Sequence, residues 1–328
     1  MDEKIKSTMA RKKIVIVTPA REGTLHGNRT TALRWANHLC AAGHTAAVQT
    51  EWSGGDQDIM IALHATRSHD AIVAWKKTNC SKPLILIMTG TDLYRDLAAN
   101  DIKTLASLEM ADQIVLLQPE ALQCIPQHIR ERCRVIYQSI EPGKALPKHL
   151  NCFMVTVIGH LREEKDPLRT AYALRHIPKS IPIKIMHLGM IMQENFKTEV
   201  QRLFEEDGRY QWIGQRNHRN TLRWLASSHL MVITSIMEGG AHVVSEAIAL
   251  GIPVIASDVA GNRGLLGNDY PGLFPVRDEQ TLAKFLMRAQ SDPSYMQQLT
   301  KALSKRQELI KPEREFNAIN QLVEKYNL

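Results

Sequence analysis

At 328 residues, with 44% hydrophobic and 23% charged residues, the chain is long enough for two domains of ordinary size and has the balance of a soluble globular protein. No apolar run reaches membrane-spanning length, and the first dozen residues lack the apolar core of a secretory signal. The net charge is +7, of which residues 1–12 supply +2 through four basic and two acidic groups; the rest is spread along a chain only 5% aromatic, which argues against a nucleic-acid binder and fits one that handles small anions.

The five cysteines (Cys40, Cys80, Cys124, Cys133, Cys152) form no C-x-x-C pair and no His/Cys metal spacing. Reduced thiols in a cytoplasmic protein follow, with no metal expected. Residues 1–12 read as a disordered tail.

Lys13 to Thr18 is the first apolar β-rich run and reads as a buried parallel strand. A polar loop with Arg21, Gly23, His26, Gly27 and Asn28 follows. A helix from about Arg29 to Ala42 places Ala32, Trp35, Ala36 and Leu39 on one face, and Gly43 ends it. Strand, glycine loop and helix start are the arrangement that binds phosphate groups, yet the loop is neither a P-loop nor a G-x-G-x-x-G fingerprint, which speaks against a nicotinamide cofactor. Further strands are expected at 58–63, 83–88, 113–117 and 134–137, with polar residues gathered at their carboxyl ends.

Residues 141–150, rich in Pro, Gly and Lys, have no periodicity and read as a linker. This gives a first domain at 13–140 and a second at 151–312. Strands of the second domain are expected at 152–158, 183–188, 210–213, 230–234 and 254–256. From Glu279 on the pattern is helical.

One stretch of the second domain carries the densest chemistry. Between the strands at 230–234 and 254–256 lies Glu238-Gly239-Gly240-Ala241-His242, then a helix from Ala241 to Leu250 closed by Gly251. Glu238 sits in the loop and Glu246, eight positions on, in the helix; eight helical steps would span roughly 12 Å. Gly239 and Gly240 let backbone approach a ligand, and the first N–H groups of the helix favour an anion. A βα unit with two solvated glutamates has the same local pattern.

Glu-(seven residues)-Glu followed by Ala-x-Ala-x-Gly-x-Pro-Val resembles the signature of the retaining GT-B glycosyltransferases of family 4. The resemblance implies two facing Rossmann-like βα domains with the active site in the cleft between them, and a final helix, here 313–328, that crosses back to the first domain. By matching position, Glu246 would hold the ribose hydroxyls of a nucleotide-sugar and Glu238 its hexose. Gly159-His160-Leu161-Arg162-Glu163-Glu164-Lys165 is similar to that family's Gly-Arg-Leu-x-x-x-Lys, whose Arg and Lys clamp the donor diphosphate. Lys165 matches; His160 stands at the Arg position, with Arg162 two residues later. Thr89 stands where many members have a sugar-contacting His. Asp92 then has two readings, a hydrogen bond to a sugar hydroxyl or a helix cap.

In the first domain, His64 and Arg67-Ser68 form one polar cluster. Arg21, His26 and Arg29 around Gly27-Asn28 form another. Both suit contact with an anion, and both suit a plain solvated surface in which Ser68 caps a helix and Arg67 meets a surface acid.

Thr18-Pro-Ala-Arg-x-Gly, His26-Gly-Asn-Arg-x-Thr-Ala-x-Arg-Trp, Ala62-Leu-His-Ala-x-Arg-Ser, Thr89-Gly-Thr-Asp-Leu-Tyr-Arg-Asp, Val135-Ile-Tyr-Gln-Ser, Met237-Glu-Gly-Gly-Ala and Tyr270-Pro-Gly together resemble the selenosugar synthases of selenoneine biosynthesis. The resemblance runs from Ile14 to about Pro275. It implies a UDP-sugar donor, typically UDP-N-acetylglucosamine, selenophosphate as acceptor, a 1-selenosugar product, and a functional link to a selenophosphate-producing enzyme, with no nucleic-acid or membrane partner. A family 4 transferase acting on a hydroxyl, and a nucleotide-sugar sensor without turnover, are the competing readings.

Overall fold

The computed structural model describes residues 11–23, 27–148 and 151–326, and the chain divides into two compact units. The expected tail to residue 10, His26, the end of the linker at 149–150 and the last two residues lie outside the described residues.

Unit 1 comprises the described residues of Met1–Leu117, Cys124–Ile136 and Glu315–Leu328. Its elements run β1 (Lys13–Val17), α1 (Gly27–Ala41), β2 (Thr45–Gln49), β3 (Ile59–Leu63), α2 (His69–Thr78), β4 (Leu84–Ile87), α3 (Ile102–Met110), β5 (Gln113–Leu116) and β6 (Cys133–Val135). The strands form one parallel sheet in the order β2-β1-β3-β4-β5-β6. Because β1 and β3 leave in opposite directions across the sheet, the order reverses between them, the place where open α/β sheets receive ligands. β2 escaped the reading by pattern: its residues are half-buried or exposed at the sheet edge, so no apolar run marks it.

Unit 2 comprises Gln118–Gln123 and Tyr137–Arg314. It runs β7 (Phe153–Ile158), α4 (Arg169–Ala173), β8 (Ile183–Leu188), α5 (Asn195–Glu206), β9 (Tyr210–Gly214), α6 (His218–Ser227), β10 (Leu230–Ile233), α7 (His242–Leu250), β11 (Val254–Ser257), α8 (Ala260–Leu266), β12 (Leu273–Phe274), α9 (Glu279–Ser291) and α10 (Pro293–Ser304). Its sheet is parallel, in the order β12-β11-β10-β7-β8-β9, so the reversal falls between β7 and β10. Both units therefore have the doubly wound Rossmann-like plan expected from the alternating pattern.

The unit boundary falls between Ile136 and Tyr137, a few residues ahead of the expected linker. Residues 141–148 have no regular structure, and unit 2 holds them: Leu146 N–H donates to Ala226 O (2.8 Å) and Lys148 Nζ to Ala226 O (3.0 Å).

Helix α11 (Pro312–Glu324) begins at the end of unit 2 and belongs to unit 1 from Glu315 onward. Glu315 is the reason it stays there. Its carboxylate is only 2% exposed, and it accepts from Arg34 Nε (2.7 Å) and Nη2 (3.1 Å) and from Trp35 Nε1 (2.8 Å), all on α1. A carboxylate out of water needs this set of donors. Ile319, Leu322 and Val323 on the same helix enter the unit 1 core beside Trp35 and Leu39.

Candidate functional site

In unit 2 a small, open hollow lies at the carboxyl ends of β7, β8 and β10, lined by Gly159, Lys165, His187, Thr234 and Ser235 among others. It lies at the reversal of the strand order. The Gly159–Asp166 loop after β7 is fixed to the segment after β10. Thr234 Oγ1 donates to Asp166 O (2.8 Å) and Lys165 O (3.1 Å), and Ile236 N–H donates to Glu164 O (3.0 Å). The loop closes through Asp166 in the left-handed region at φ 42°.

This bracing brings two sequence-predicted residues together. Lys165 Nζ donates to Glu238 Oε1 at 2.5 Å, and Ser235 Oγ donates to the same oxygen. Glu238 is buried, while Lys165 is partly open. A buried carboxylate beside an ammonium can hold a hydroxyl on one side and present the cation to an anion on the other. Of the other two loop residues, His160 uses Nδ1 to accept the Met190 N–H (3.1 Å). Arg162 lies 4.0 Å from Glu164, and its Nε is buried without an acceptor among the described residues.

Glu246, 2% exposed, lies in the second turn of α7. The helix begins only at His242, so four of the eight steps from Glu238 are helical and the rise along them is about 6 Å, half that expected from an unbroken helix. Ala241 is the N-cap residue and offers no side-chain cap, so the helix start keeps N–H groups unclaimed by a side chain. Gly251, at φ 67°, ends the helix in the left-handed conformation expected of it. Two histidines face Glu246. His218, the first residue of α6, places Nε2 2.7 Å from Oε1, and that contact raises its pKa above the ordinary value. His242 places Nε2 3.6 Å from the same oxygen. Sequence reading missed both in this role. His242 stands four residues before Glu246, on one helix face, and that spacing was the available signal; nothing in the sequence pointed to His218.

Behind the hollow, His187 is fully buried between Gly159 O, to which Nε2–H donates (3.0 Å), and Tyr210 Oη, from which Nδ1 accepts (2.9 Å). Burial pushes its pKa down to about 4, so the ring is neutral. Two glycines set close approaches. A Cβ at Gly189 would stand 1.9 Å from Gly159 O, and one at Gly261 would stand 2.0 Å from Glu238 O.

In unit 1, two clusters that the sequence kept apart form one hydrogen-bonded structure. His64, at the end of β3 with φ 71°, donates from Nε2 to Thr91 Oγ1 (2.9 Å) and accepts the Arg67 N–H at Nδ1 (3.4 Å). Burial lowers its pKa and keeps it neutral. Asp92 is fully buried and accepts from Ala65 N–H (3.0 Å), Thr89 N–H (2.9 Å) and Thr89 Oγ1 (2.7 Å). This corrects the cap reading of Asp92: it lies inside the short helical turn after Thr91, and its carboxylate ties the loop after β4 to the loop after β3. Ser68 stands at the N-cap position of α2 but donates its hydroxyl back to Leu63 O (2.6 Å), so it is not the cap either. Arg67 is exposed, without an ion pair among the described residues. Arg21 follows β1; Gly27, Asn28 and Arg29 open α1, which starts two residues before the expected position. Arg67, Arg21 and Arg29 thus flank the β1/β3 reversal.

Residues 144–306, about half of the chain, match the family described as glycosyl transferases group 1. Unit 2 therefore contains a group 1 glycosyl transferase domain, and Glu238, Glu246 and Lys165 all lie within it. A particular relative is the glycosyltransferase 1 domain-containing protein 1 of Xenopus tropicalis, 26% identical over 289 residues, which cover 80% of this chain and 83% of that protein. Among solved structures, the sucrose-phosphate synthase of Thermosynechococcus elongatus matches with a TM-score of 0.79 at 18% identity, over 96% of this chain and 99% of that one. The Anabaena protein Alr3699/HepE, solved with UDP and glucose, matches with a TM-score of 0.72 at 17% identity and the same coverage. At these identities the structures share the fold of two Rossmann-like domains with this chain. No described helix is long and apolar enough to cross a membrane.

Proposed function

We propose that the protein is a UDP-sugar-dependent glycosyltransferase that forms a carbon–selenium bond, moving a sugar, N-acetylglucosamine by the resemblance, from UDP to selenophosphate. The donor part rests on unit 2. Glu246 takes the ribose hydroxyls and Glu238 a hexose hydroxyl, while Gly239, Gly240 and Ala241 bring backbone N–H groups to the donor. Lys165, with His160 and Arg162 on its loop, faces the diphosphate as it departs with growing negative charge. That work needs no metal. Gly27 and Asn28, the first residues of α1, are further donor contacts in this reading.

One observation favours the selenium acceptor over an alcohol. Two described side chains of unit 1 that could take a proton from a hydroxyl are committed: His64 to Thr91 and the Arg67 backbone, Asp92 to Thr89 and Ala65. A selenophosphate selenium is already ionised at neutral pH and needs no such base. What it needs is cationic groups for its charge, and Arg67, Arg21 and Arg29 supply them. As the C1–Se bond forms, the C1–O bond to UDP breaks. The reading places the protein in the cytoplasm, beside an enzyme that makes selenophosphate.

The test is incubation of the chain with UDP-N-acetylglucosamine and selenophosphate, read by mass spectrometry. A selenosugar, free or still phosphorylated on selenium, with stoichiometric UDP is the expected result. Transfer to alcohols with none to selenophosphate would establish the hydroxyl reading; bound donor that is never consumed would establish a sensor.

A further inference from the structure

His218, His242 and Glu246 each offer one ligand atom, and the three atoms lie within 4.8 Å of one another. Two of them, His242 and Glu246, stand one helical turn apart on α7, and the third opens α6. The orientation of His242 is set from outside. Its Nδ1 lies 3.0 Å from Gln138 Oε1, so Nδ1 carries the proton and donates. Its Nε2 lies 3.6 Å from the Glu246 carboxylate, and His218 Nε2 lies 2.7 Å from the same oxygen. Three atoms able to ligate a cation therefore converge on one point.

We propose that this triad is a binding site for zinc or a similar divalent cation, and that its occupancy excludes the nucleotide donor. Two imidazoles and one carboxylate are a zinc ligand set, and a carbonyl oxygen holding the far nitrogen of a ligating histidine is the usual outer support. Tetrahedral zinc, with bonds of about 2.0–2.1 Å, separates its ligand atoms by about 3.3 Å. The present separations bracket that value, so ligation asks for a side-chain adjustment of the exposed His218 and leaves the helices in place. His218 moves its proton to Nδ1 or releases it. The fourth position faces solvent on the side where His218 is exposed. The exclusion rests on the reading that Glu246 holds the ribose: one carboxylate cannot serve both. Free zinc would then restrain donor use by competition, without a second regulatory domain.

The experiment uses the full chain without a histidine tag, in buffered Zn²⁺ and Co²⁺. One equivalent of zinc by calorimetry is expected, together with visible Co²⁺ absorption of four-coordinate type. His218→Ala and His242→Ala should each weaken zinc at least tenfold, and UDP should weaken it in a concentration-dependent way. Absent zinc binding, or zinc binding unchanged in both variants, overturns the site; exposed Cys40, Cys80 and Cys124 are the sources such unchanged binding would reveal. Zinc that binds through the triad yet is indifferent to UDP overturns the exclusion. Calorimetry of UDP with Glu246→Ala, free of metal, separately decides whether that carboxylate holds the nucleotide.

Discussion

Lys165 and Glu238, seventy-three residues apart, share a proton-bearing contact of 2.5 Å at the rim of the unit 2 hollow. Ser235 holds the same carboxylate oxygen, so removing the ammonium leaves Glu238 with one neutral donor among the described residues. Lys165→Ala is expected to lower kcat at least tenfold and donor KM less, because the leaving diphosphate gains charge toward the transition state. A double-mutant cycle with Glu238→Gln should show coupling of about 1–3 kcal/mol. A change in KM alone would restrict Lys165 to holding the ground state.

Glu246→Ala should weaken UDP by about 1.5–3 kcal/mol for each charge-assisted hydrogen bond lost, a factor of ten or more. Calorimetry with UDP measures it directly. Wild-type affinity in the variant would remove Glu246 from the nucleotide site.

Gly261→Ala tests the backbone that carries Glu238. The added Cβ would meet Glu238 O at 2.0 Å and must push the loop aside. A loss of about 1–3 kcal/mol of stability is expected, accompanied by a fall in kcat/KM, although the residue touches no substrate in the proposed arrangement. Gly208→Ala, where nothing lies within 4 Å of the new Cβ, is the control and should leave both unchanged. Equal activity in the two variants would show that the loop tolerates displacement.

His187 gives a pH signature. The unfolded ring takes up a proton near pH 6.5, whereas the buried ring does so only at about 4. Its contribution is therefore complete above about pH 6.5 and is lost as the pH falls toward 4, amounting to about 2 kcal/mol by pH 5. Denaturant unfolding at pH 7.5 and pH 5 should show a smaller loss for His187→Gln than for the wild type. Identical losses would mean that the ring is not held neutral against Gly159 O.

Arg67→Ala and Arg29→Ala are expected to raise the KM for selenophosphate several-fold and to leave UDP affinity nearly unchanged. The rate should vary little across neutral pH, since the nucleophile needs no base. Steady-state kinetics with each substrate varied in turn decides it: an unchanged selenophosphate KM in both variants would take these arginines out of the acceptor site.

The Rossmann-like plan of both units was legible in the residue order, because buried parallel strands are continuous apolar runs and each helix carries a one-sided stripe. Glu238, Glu246 and Lys165 stood out only through the motifs that resemble a known family, since a βα unit with two solvated glutamates has the same local pattern. The edge strand Thr45–Gln49 was illegible for the complementary reason, since half-exposed edges carry no apolar run. The partners of the polar side chains became visible in the folded chain. That Asp92 accepts from Ala65, that Glu315 anchors the last helix on Arg34 and Trp35, and that His218 meets Glu246 are contacts between segments well separated in the chain. Hydrogen bonds of this kind depend on where the sheet order and the loop closures put each side chain, and one chain's residue order carries no periodicity that records them.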